Sequence, residues 1–142
     1  MKRFALMALV GAFGTGMFLV SPATAAAQRT EPPGGAYKQV SKLVSLPSFL
    51  PGLGTLYVDP ATLPAGPFLA YDHQGHLVSS IYMIPLKDMN AQKGFTDLKI
   101  GQGEPVDHVD IVYNAGHPGV PVPHYHIIVW YISPTKAAAL TK

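Results

Sequence analysis

The segment HYHIIVWYI, residues 124–132, is the most informative stretch of the sequence for the fold. It contains no Gly or Pro and consists mainly of β-branched and aromatic residues, the types that favour strands. Because side chains alternate along a strand, the even-numbered side chains from His124 share one face and the odd-numbered ones from Tyr125 share the other. Both faces are apolar over most of the segment. This pattern predicts a central strand that is buried on both sides, or a strand that faces a partner subunit.

Proline and glycine interrupt the rest of the chain at short intervals. The 142 residues include 14 Pro and 14 Gly, and no uninterrupted helical period is seen between residues 37 and 132. Short β-rich runs lie between these breakers, at 40–46, 54–59, 68–71, 76–86, 107–113 and 124–132. Residues 72–75 (DHQG) predict a hairpin turn that joins the third run to the fourth.

Residues 37–142 are therefore expected to form one mainly β domain, either a small antiparallel β-sandwich or a barrel, with Pro/Gly-rich loops. Little helix is expected after the N-terminal segment. The two places where the sequence allows it are one turn near residues 88–91 and a frayed C-terminal helix at 136–142.

The first 27 residues have the pattern of a secretory signal peptide. A basic start (Met1-Lys2-Arg3) precedes an apolar run over residues 4–20, and small residues then offer a cleavage site after Ala27 or Ala25. The apolar run is short and contains glycines, which disfavours a retained membrane span. We therefore expect a periplasmic or secreted protein, in which residues 28–36 are a flexible lead-in to the domain.

The composition excludes several classes of function. The chain contains no Cys, which excludes disulfides, thiolate nucleophiles and iron–sulfur clusters. The formal net charge of +2 would fall to zero once Lys2 and Arg3 left with the signal peptide, and this predicts no nucleic-acid partner. No G-x-S-x-G motif or other complete catalytic constellation is present. The six histidines are the remaining chemical resource.

His124 and His126 form an H-x-H pair on one face of the last predicted strand. Their Cα atoms are expected about 6.5–7 Å apart, a spacing at which two imidazoles can converge on one metal ion. His117 lies in the preceding Pro/Gly loop and is a third candidate ligand. Imidazole ligands suit Zn(II) or Cu(II). A hydrogen-bonded structural pair is the competing interpretation.

His108 and Asp110 are further candidate ligands, because they share one face of the strand before this loop. If that strand pairs antiparallel with the last one and Asn114 lies opposite His124, both residues reach the His124 face. A slip of one residue would move them to the other face. The sequence does not determine this register.

The segment DHVDIVYNAGHPGVPVPHYHIIVWYI, residues 107–132, combines a hydrophobic strand ending in Asn, a Gly-His-Pro loop and a closing Pro-His-aromatic strand. In this combination it resembles the C-terminal signature of a small secreted bacterial family of unknown function, the TTHB-type domain first seen in Thermus. The matching residues are Asn114, Gly116, His117, Pro118, Gly119, Pro123, His124, Tyr125, Trp130 and Tyr131.

The family pattern continues with an Asp and a second His, where this sequence has His126 and Ile128. His117 and His124 are therefore the polar residues that the resemblance carries over. The resemblance implies a β-rich, oligomeric extracytoplasmic domain and does not imply a reaction.

These observations predict an exported, non-enzymatic binding or assembly module whose functional surface is the last strand and the His117 loop. Its expected partner is a second copy of the chain or another envelope protein, and no membrane span is expected after signal cleavage. The alternative is a periplasmic Zn- or Cu-binding protein, either a carrier or a metal-dependent hydrolase, that uses the histidine cluster.

Overall fold

The computed structural model describes residues 28–102 and 105–141. The predicted signal peptide, residues 1–27, lies outside the described residues. Within them, six strands form one antiparallel sheet in the order β1-β2-β3-β4-β6-β5. The strands are β1 (Lys38–Gln39), β2 (Thr55–Val58), β3 (Phe68–Tyr71), β4 (Leu77–Pro85), β5 (His108–Asn114) and β6 (His124–Trp130).

Helix is confined to short elements in the described part of the chain. These are α1 (Leu86–Asn90), α2 (Pro134–Ala138) and two 3-10 turns at Val40–Lys42 and Pro60–Thr62. None of the described helices is long and apolar enough to cross a membrane. The predicted mainly β, antiparallel class is confirmed, and the described strands lie in one sheet instead of the two sheets of a sandwich.

The predicted strand at residues 40–46 is wrong. β1 comprises only Lys38–Gln39, and the chain then enters the 3-10 turn Val40–Lys42. The apolar residues between 40 and 53 recur every three or four positions, which is not the alternation of a strand. As a result this segment leaves the sheet and covers one of its faces. Val40 of this segment is buried in the core, and four partly buried side chains pack against the core: Val44, Leu46, Phe49 and Leu53.

β4 is the most enclosed strand of the sheet, because all nine of its residues are buried. β6 lies between β4 and β5, but burial on both of its faces is not observed. His124, Ile128 and Trp130 are buried on one face, whereas the odd-numbered side chains are only partly buried. The odd-numbered face of β6 is therefore less buried than its even-numbered face, although residues 99–101 contact Ser80, Tyr82 and Tyr131 on that side.

The predicted hairpin turn at residues 72–75 is confirmed. The N–H of Asp72 donates to the carbonyl of His76, and the N–H of Gly75 donates to the carbonyl of Asp72, both at 3.0 Å. The start of the expected lead-in lies against this hairpin, because the N–H of Glu31 donates to the carbonyl of Gly75 at 2.9 Å. Residues 28–31 therefore contact the sheet at the β3–β4 turn.

The register between β5 and β6 places Asn114 opposite His124. In the same ladder Val112 lies opposite His126, Asp110 opposite Ile128 and His108 opposite Trp130. Of the two registers that the sequence allowed, the structure therefore has the one that brings all these polar groups to one face. That face also carries the main core, which includes Val58, Phe68, Ala70, Ile81, Met83 and Ile128.

Candidate metal centre

Three histidine side chains converge at the start of β6. The Nε2 of His126 lies 2.9 Å from the Nε2 of His124 and 3.4 Å from the Nε2 of His117. One ring nitrogen from each residue lies within 4.8 Å of the other two. In a tetrahedral zinc site with Zn–N bonds of about 2.0–2.1 Å, two ligand nitrogens are about 3.3–3.4 Å apart. The observed spacing is therefore close to what one ion would need.

The loop between β5 and β6 positions His117 through a tight turn. The N–H of His117 donates to the carbonyl of Val120, and the N–H of Val120 donates to the carbonyl of His117, both at 3.0 Å. Pro118 and Gly119 occupy the two central positions, and the φ of Gly119 is +89°, as in a type II turn. Val120 is buried in the core and anchors the turn.

Gly116 shapes the same loop at its other end. Its φ is +131°, and an added Cβ would lie 2.8 Å from the carbonyl oxygen of Pro121. The side chain of Asn114 closes this corner, because its Oδ1 accepts a hydrogen bond of 2.8 Å from the N–H of Gly116. The backbone is therefore fixed on both sides of His117, by the Asn114–Gly116 hydrogen bond before it and by the turn to Val120 after it.

Backbone carbonyls orient two of the three rings. The Nδ1 of His124 lies 2.7 Å from the carbonyl oxygen of Val122, and the Nδ1 of His117 lies 2.9 Å from the carbonyl oxygen of Pro118. A carbonyl oxygen only accepts, so each Nδ1 carries the hydrogen and donates it. In the neutral ring, the lone pair is then on Nε2 and points into the cluster. Metal-binding histidines are commonly oriented by this type of hydrogen bond.

His126 completes the cluster as a ring that resists protonation. Burial lowers the pKa of His126 to about 4, and the neighbouring rings of His124 and His117 contribute in the same direction. Neutral imidazole is the form that binds a metal, because a protonated ring has no lone pair to donate. At neutral pH His126 is therefore uncharged, as a metal ligand must be.

A cavity of about 350 Å³ adjoins the cluster. His117, His126 and Asn114 form its polar side, and aliphatic side chains form most of the remaining wall. The buried part of this wall comes from the sheet, through Val58, Phe68, Ile81 and Met83. The opposite wall comes from residues 40–53, the segment that leaves the sheet.

His108 and Asp110, the other two sequence candidates, lie on the predicted face but outside the cluster. Asp110 is two residues and His108 four residues along β5 from the position opposite His126, which corresponds to about 7 and 13 Å at 3.3 Å per residue. Asp110 instead accepts a 2.8 Å hydrogen bond from the indole Nε1 of Trp130. The ring of His108 stacks on Trp130, with the centroids 6.0 Å apart.

The cavity and the part played by Asn114 were not predicted from the sequence. The helix-like spacing of apolar residues over 40–53 could have indicated that this segment packs across the sheet. The Pro118-Gly119 pair could have indicated the turn that brings His117 back toward β6. No sequence signal specifies that these two features enclose one cavity, because that depends on long-range packing.

Comparison with known proteins finds a similar protein among the solved structures. The crystal structure of hypothetical protein TTHB210 from Thermus thermophilus matches this chain with 45% sequence identity and a TM-score of 0.60. The match covers 67% of this chain and 92% of that chain. No protein-family model and no curated protein matches the sequence. TTHB210 is itself called hypothetical, so the similarity assigns no activity. It does confirm the resemblance inferred from residues 107–132, and the chain belongs to the family of TTHB210.

Proposed function

We propose that this protein is an extracytoplasmic metal-binding module in which His117, His124 and His126 bind one Zn(II) or Cu(II) ion. The observation that carries the proposal is the convergence of three Nε2 atoms, two of them on rings whose Nδ1 donates to a backbone carbonyl. A site of three imidazoles suits these two ions.

Binding is favoured over hydrolysis as the role of this ion. Three protein ligands leave a fourth position open, as in catalytic zinc sites. Metal-dependent hydrolysis also uses a general base near the bound water. Within the described residues, neither the cluster nor the cavity wall includes a carboxylate. We therefore expect the ion to hold a ligand at its open position.

Calorimetric titration with Zn(II) and with Cu(II) tests the proposal. We expect one ion per chain with a sub-micromolar Kd for at least one of the two metals. The double variant His124→Ala/His126→Ala should lose more than about 100-fold in affinity, because it removes two of three ligands.

His108→Ala is the matched control, because His108 was a sequence candidate but lies outside the cluster. This variant should bind metal like the wild type. Wild-type protein without saturable binding would refute the proposed site, as would an equal loss of affinity in His108→Ala.

Export of the protein is proposed from the pattern of residues 1–27, which has a basic start, an apolar run and a small-residue cleavage site. Expression of the full chain in a Gram-negative host, followed by fractionation and mass measurement, tests it. We expect a periplasmic product that begins at Gln28, or at Ala26 if cleavage follows Ala25. A full-length product in the cytoplasm would contradict export.

Self-assembly is a second candidate function, and the surface of β5 favours it. Val109, Ile111 and Tyr113 are 51%, 65% and 53% exposed and lie on the same face of this strand. On the neighbouring strand, Tyr125 and Ile127 extend the face and are only partly buried. A contiguous exposed apolar face of this kind is typical of a protein–protein interface.

A further inference from the structure

We propose that the cavity beside the histidine cluster binds a medium-chain carboxylate, with its head group on the metal and its alkyl chain in the cavity. The inference rests on the proposed metal-binding function, and it specifies what occupies the open position of the ion.

The position of the head group follows from the residues that belong to both the histidine cluster and the cavity wall. His117 and His126 belong to both, whereas His124 is fully buried and does not line the cavity. An ion held by the three rings therefore has the cavity on its His117 and His126 side. A ligand in the cavity can reach the fourth coordination position from there.

Charge complementarity favours an anionic head group. Apart from His117 and His126, the described residues of the cavity wall include no acidic or basic side chain, so with both rings on the metal the divalent ion would be the only full charge there. A carboxylate would partly neutralise that charge and is a good ligand for Zn(II). Asn114 adds a hydrogen-bond donor, because its Oδ1 already accepts from Gly116 and its amide NH₂ is the remaining polar group.

The volume of the cavity indicates how long the ligand's tail can be, and the side chains of the cavity wall indicate its chemistry. A cavity of about 350 Å³ has room for roughly a dozen non-hydrogen atoms, at about 30 Å³ for each water-sized group. Its wall is aliphatic apart from Phe68 and the polar side, which suits a flexible alkyl chain. Leu43 and Leu63 line the cavity and are also substantially exposed, so an apolar ligand would meet an apolar entrance.

Octanoate is the probe for this proposal, with acetate as the head group without a tail. Each is titrated calorimetrically into the Zn(II)-loaded and the metal-free protein, and the visible spectrum of the Co(II)-loaded protein reports coordination. We expect octanoate to bind the Zn(II) form saturably, at least about 100-fold more tightly than acetate, because only octanoate buries an alkyl chain. It should also change the Co(II) spectrum.

Leu43→Trp tests the position of the tail, because Leu43 lines the cavity from a loop and is 44% exposed. This variant should keep its affinity for Zn(II) and lose at least about tenfold in affinity for octanoate, since the larger ring fills the space. Leu98→Trp is the matched control, because Leu98 is exposed and does not line the cavity. It should bind octanoate like the wild type.

The outcomes separate the two proposals. A protein that binds no metal refutes the proposed function itself. A protein that binds metal but does not bind octanoate, or binds acetate equally well, refutes only the carboxylate proposal. Octanoate binding that is equally tight without metal, or that leaves the Co(II) spectrum unchanged, would overturn the assignment of the head group to the ion. Unchanged octanoate affinity in Leu43→Trp would overturn the assignment of the tail to the cavity.

Discussion

His126 occupies the middle of the cluster, and its side chain also lines the cavity. A ring in this position must stay neutral, because a proton on it would place charge beside two other imidazoles in a partly buried site. Because protonation is unfavourable here, the pKa of His126 is lowered to about 4, and burial is the largest cause. The same property that prepares the ring for a metal makes the metal-free protein sensitive to acid.

The metal-free protein should lose stability as the pH falls from about 6.5 to about 4. The folded-state pKa of His126 lies below the ordinary value of 6.5, so the unfolded chain takes up a proton in this range before the folded chain does. The free energy of unfolding therefore decreases with decreasing pH. Urea denaturation at several pH values, with a chelator present, measures this dependence.

His126→Gln should show a flatter dependence over the same range, because glutamine does not titrate. Equal slopes in the wild type and His126→Gln would contradict the role assigned to this ring.

Among the structural elements, the loop between β5 and β6 determines whether the cluster forms. β6 places His124 and His126 on one face by its alternation alone, but His117 reaches them only because the loop folds back. Two glycines with positive φ, Gly116 and Gly119, allow that path.

Gly116→Ala should disturb both the loop and the metal site. The added Cβ would lie 2.8 Å from the carbonyl oxygen of Pro121, at a φ that L-residues rarely adopt. We expect the unfolding free energy to drop by at least about 1 kcal/mol, and Zn(II) affinity to fall about tenfold or more as His117 shifts. Gly94→Ala is the control, because nothing lies within 4 Å of its added Cβ and its φ is not positive. Unchanged affinity in Gly116→Ala would show that the loop path is not needed for binding.

Ser79 and Ser80 are adjacent in β4 and lie on opposite faces of the sheet. We expect their replacement by Ala to change the free energy of unfolding in opposite directions. The Oγ of Ser79 is buried and has no hydrogen-bond partner among the described residues. The Oγ of Ser80 accepts a 2.7 Å hydrogen bond from the N–H of Gly101 and lies 2.7 Å from the hydroxyl of Tyr131. An unpaired buried hydroxyl costs stability, whereas a paired one contributes to it.

Ser79→Ala should therefore raise the free energy of unfolding by about 1 kcal/mol, and Ser80→Ala should lower it by about 1–2 kcal/mol. Chemical denaturation of the two variants beside the wild type provides the comparison. A loss of stability in Ser79→Ala similar to that in Ser80→Ala would mean that the Ser79 hydroxyl has a partner in solution.

For the whole molecule, the uneven covering of the sheet is the main feature. One face is covered by residues 40–53 and holds the main core, the cavity and the histidine cluster, whereas a smaller buried cluster around Leu69 and Tyr71 lies on the other face. The other face is left open where β5 and β6 meet, and β5 is the edge strand. β5 contains no Lys or Pro, the residues that commonly protect an edge strand from pairing with another chain.

The sequence of β5 is compatible with pairing to a second copy of itself. An antiparallel pair centred on Ile111 would place Asp110 opposite Val112 and Val109 opposite Tyr113. No like charges would then face each other, and the exposed apolar side chains of both copies would share one surface. This arrangement is the simplest form of the proposed self-assembly.

Ile111→Lys should weaken such an assembly at least about tenfold, because Ile111 is at its centre and is 65% exposed in the single chain. Size-exclusion chromatography with light scattering over a range of concentrations measures the change. Leu43→Lys introduces the same charge at a site that is 44% exposed in the segment covering the opposite face of the sheet, and it should leave the mass unchanged. A wild-type protein that remains monomeric at the highest concentration would refute self-assembly.

Much of the fold could be predicted because its strands depend on local pattern. The strand at 124–130 and the turn at 72–75 follow from alternation and from turn-forming residues, both of which act between near neighbours. The segment 40–46 was wrongly predicted because its apolar content suggested a strand, although its spacing did not. Family membership was also inferred correctly from residues 107–132, since that motif is continuous in the sequence.

The sequence alone determined that His124 and His126 lie side by side, because a strand leaves no other arrangement for an H-x-H pair. Only the tertiary structure decided which residue is the third member of the histidine cluster. The β5–β6 register brought His108 and Asp110 to the correct face but too far along it, and the loop brought His117 into contact with His126. Strand alternation acts over two residues, whereas register and loop closure depend on how distant segments pack. For the same reason the cavity, formed by residues 40–53 lying across the sheet, is a property of the folded chain.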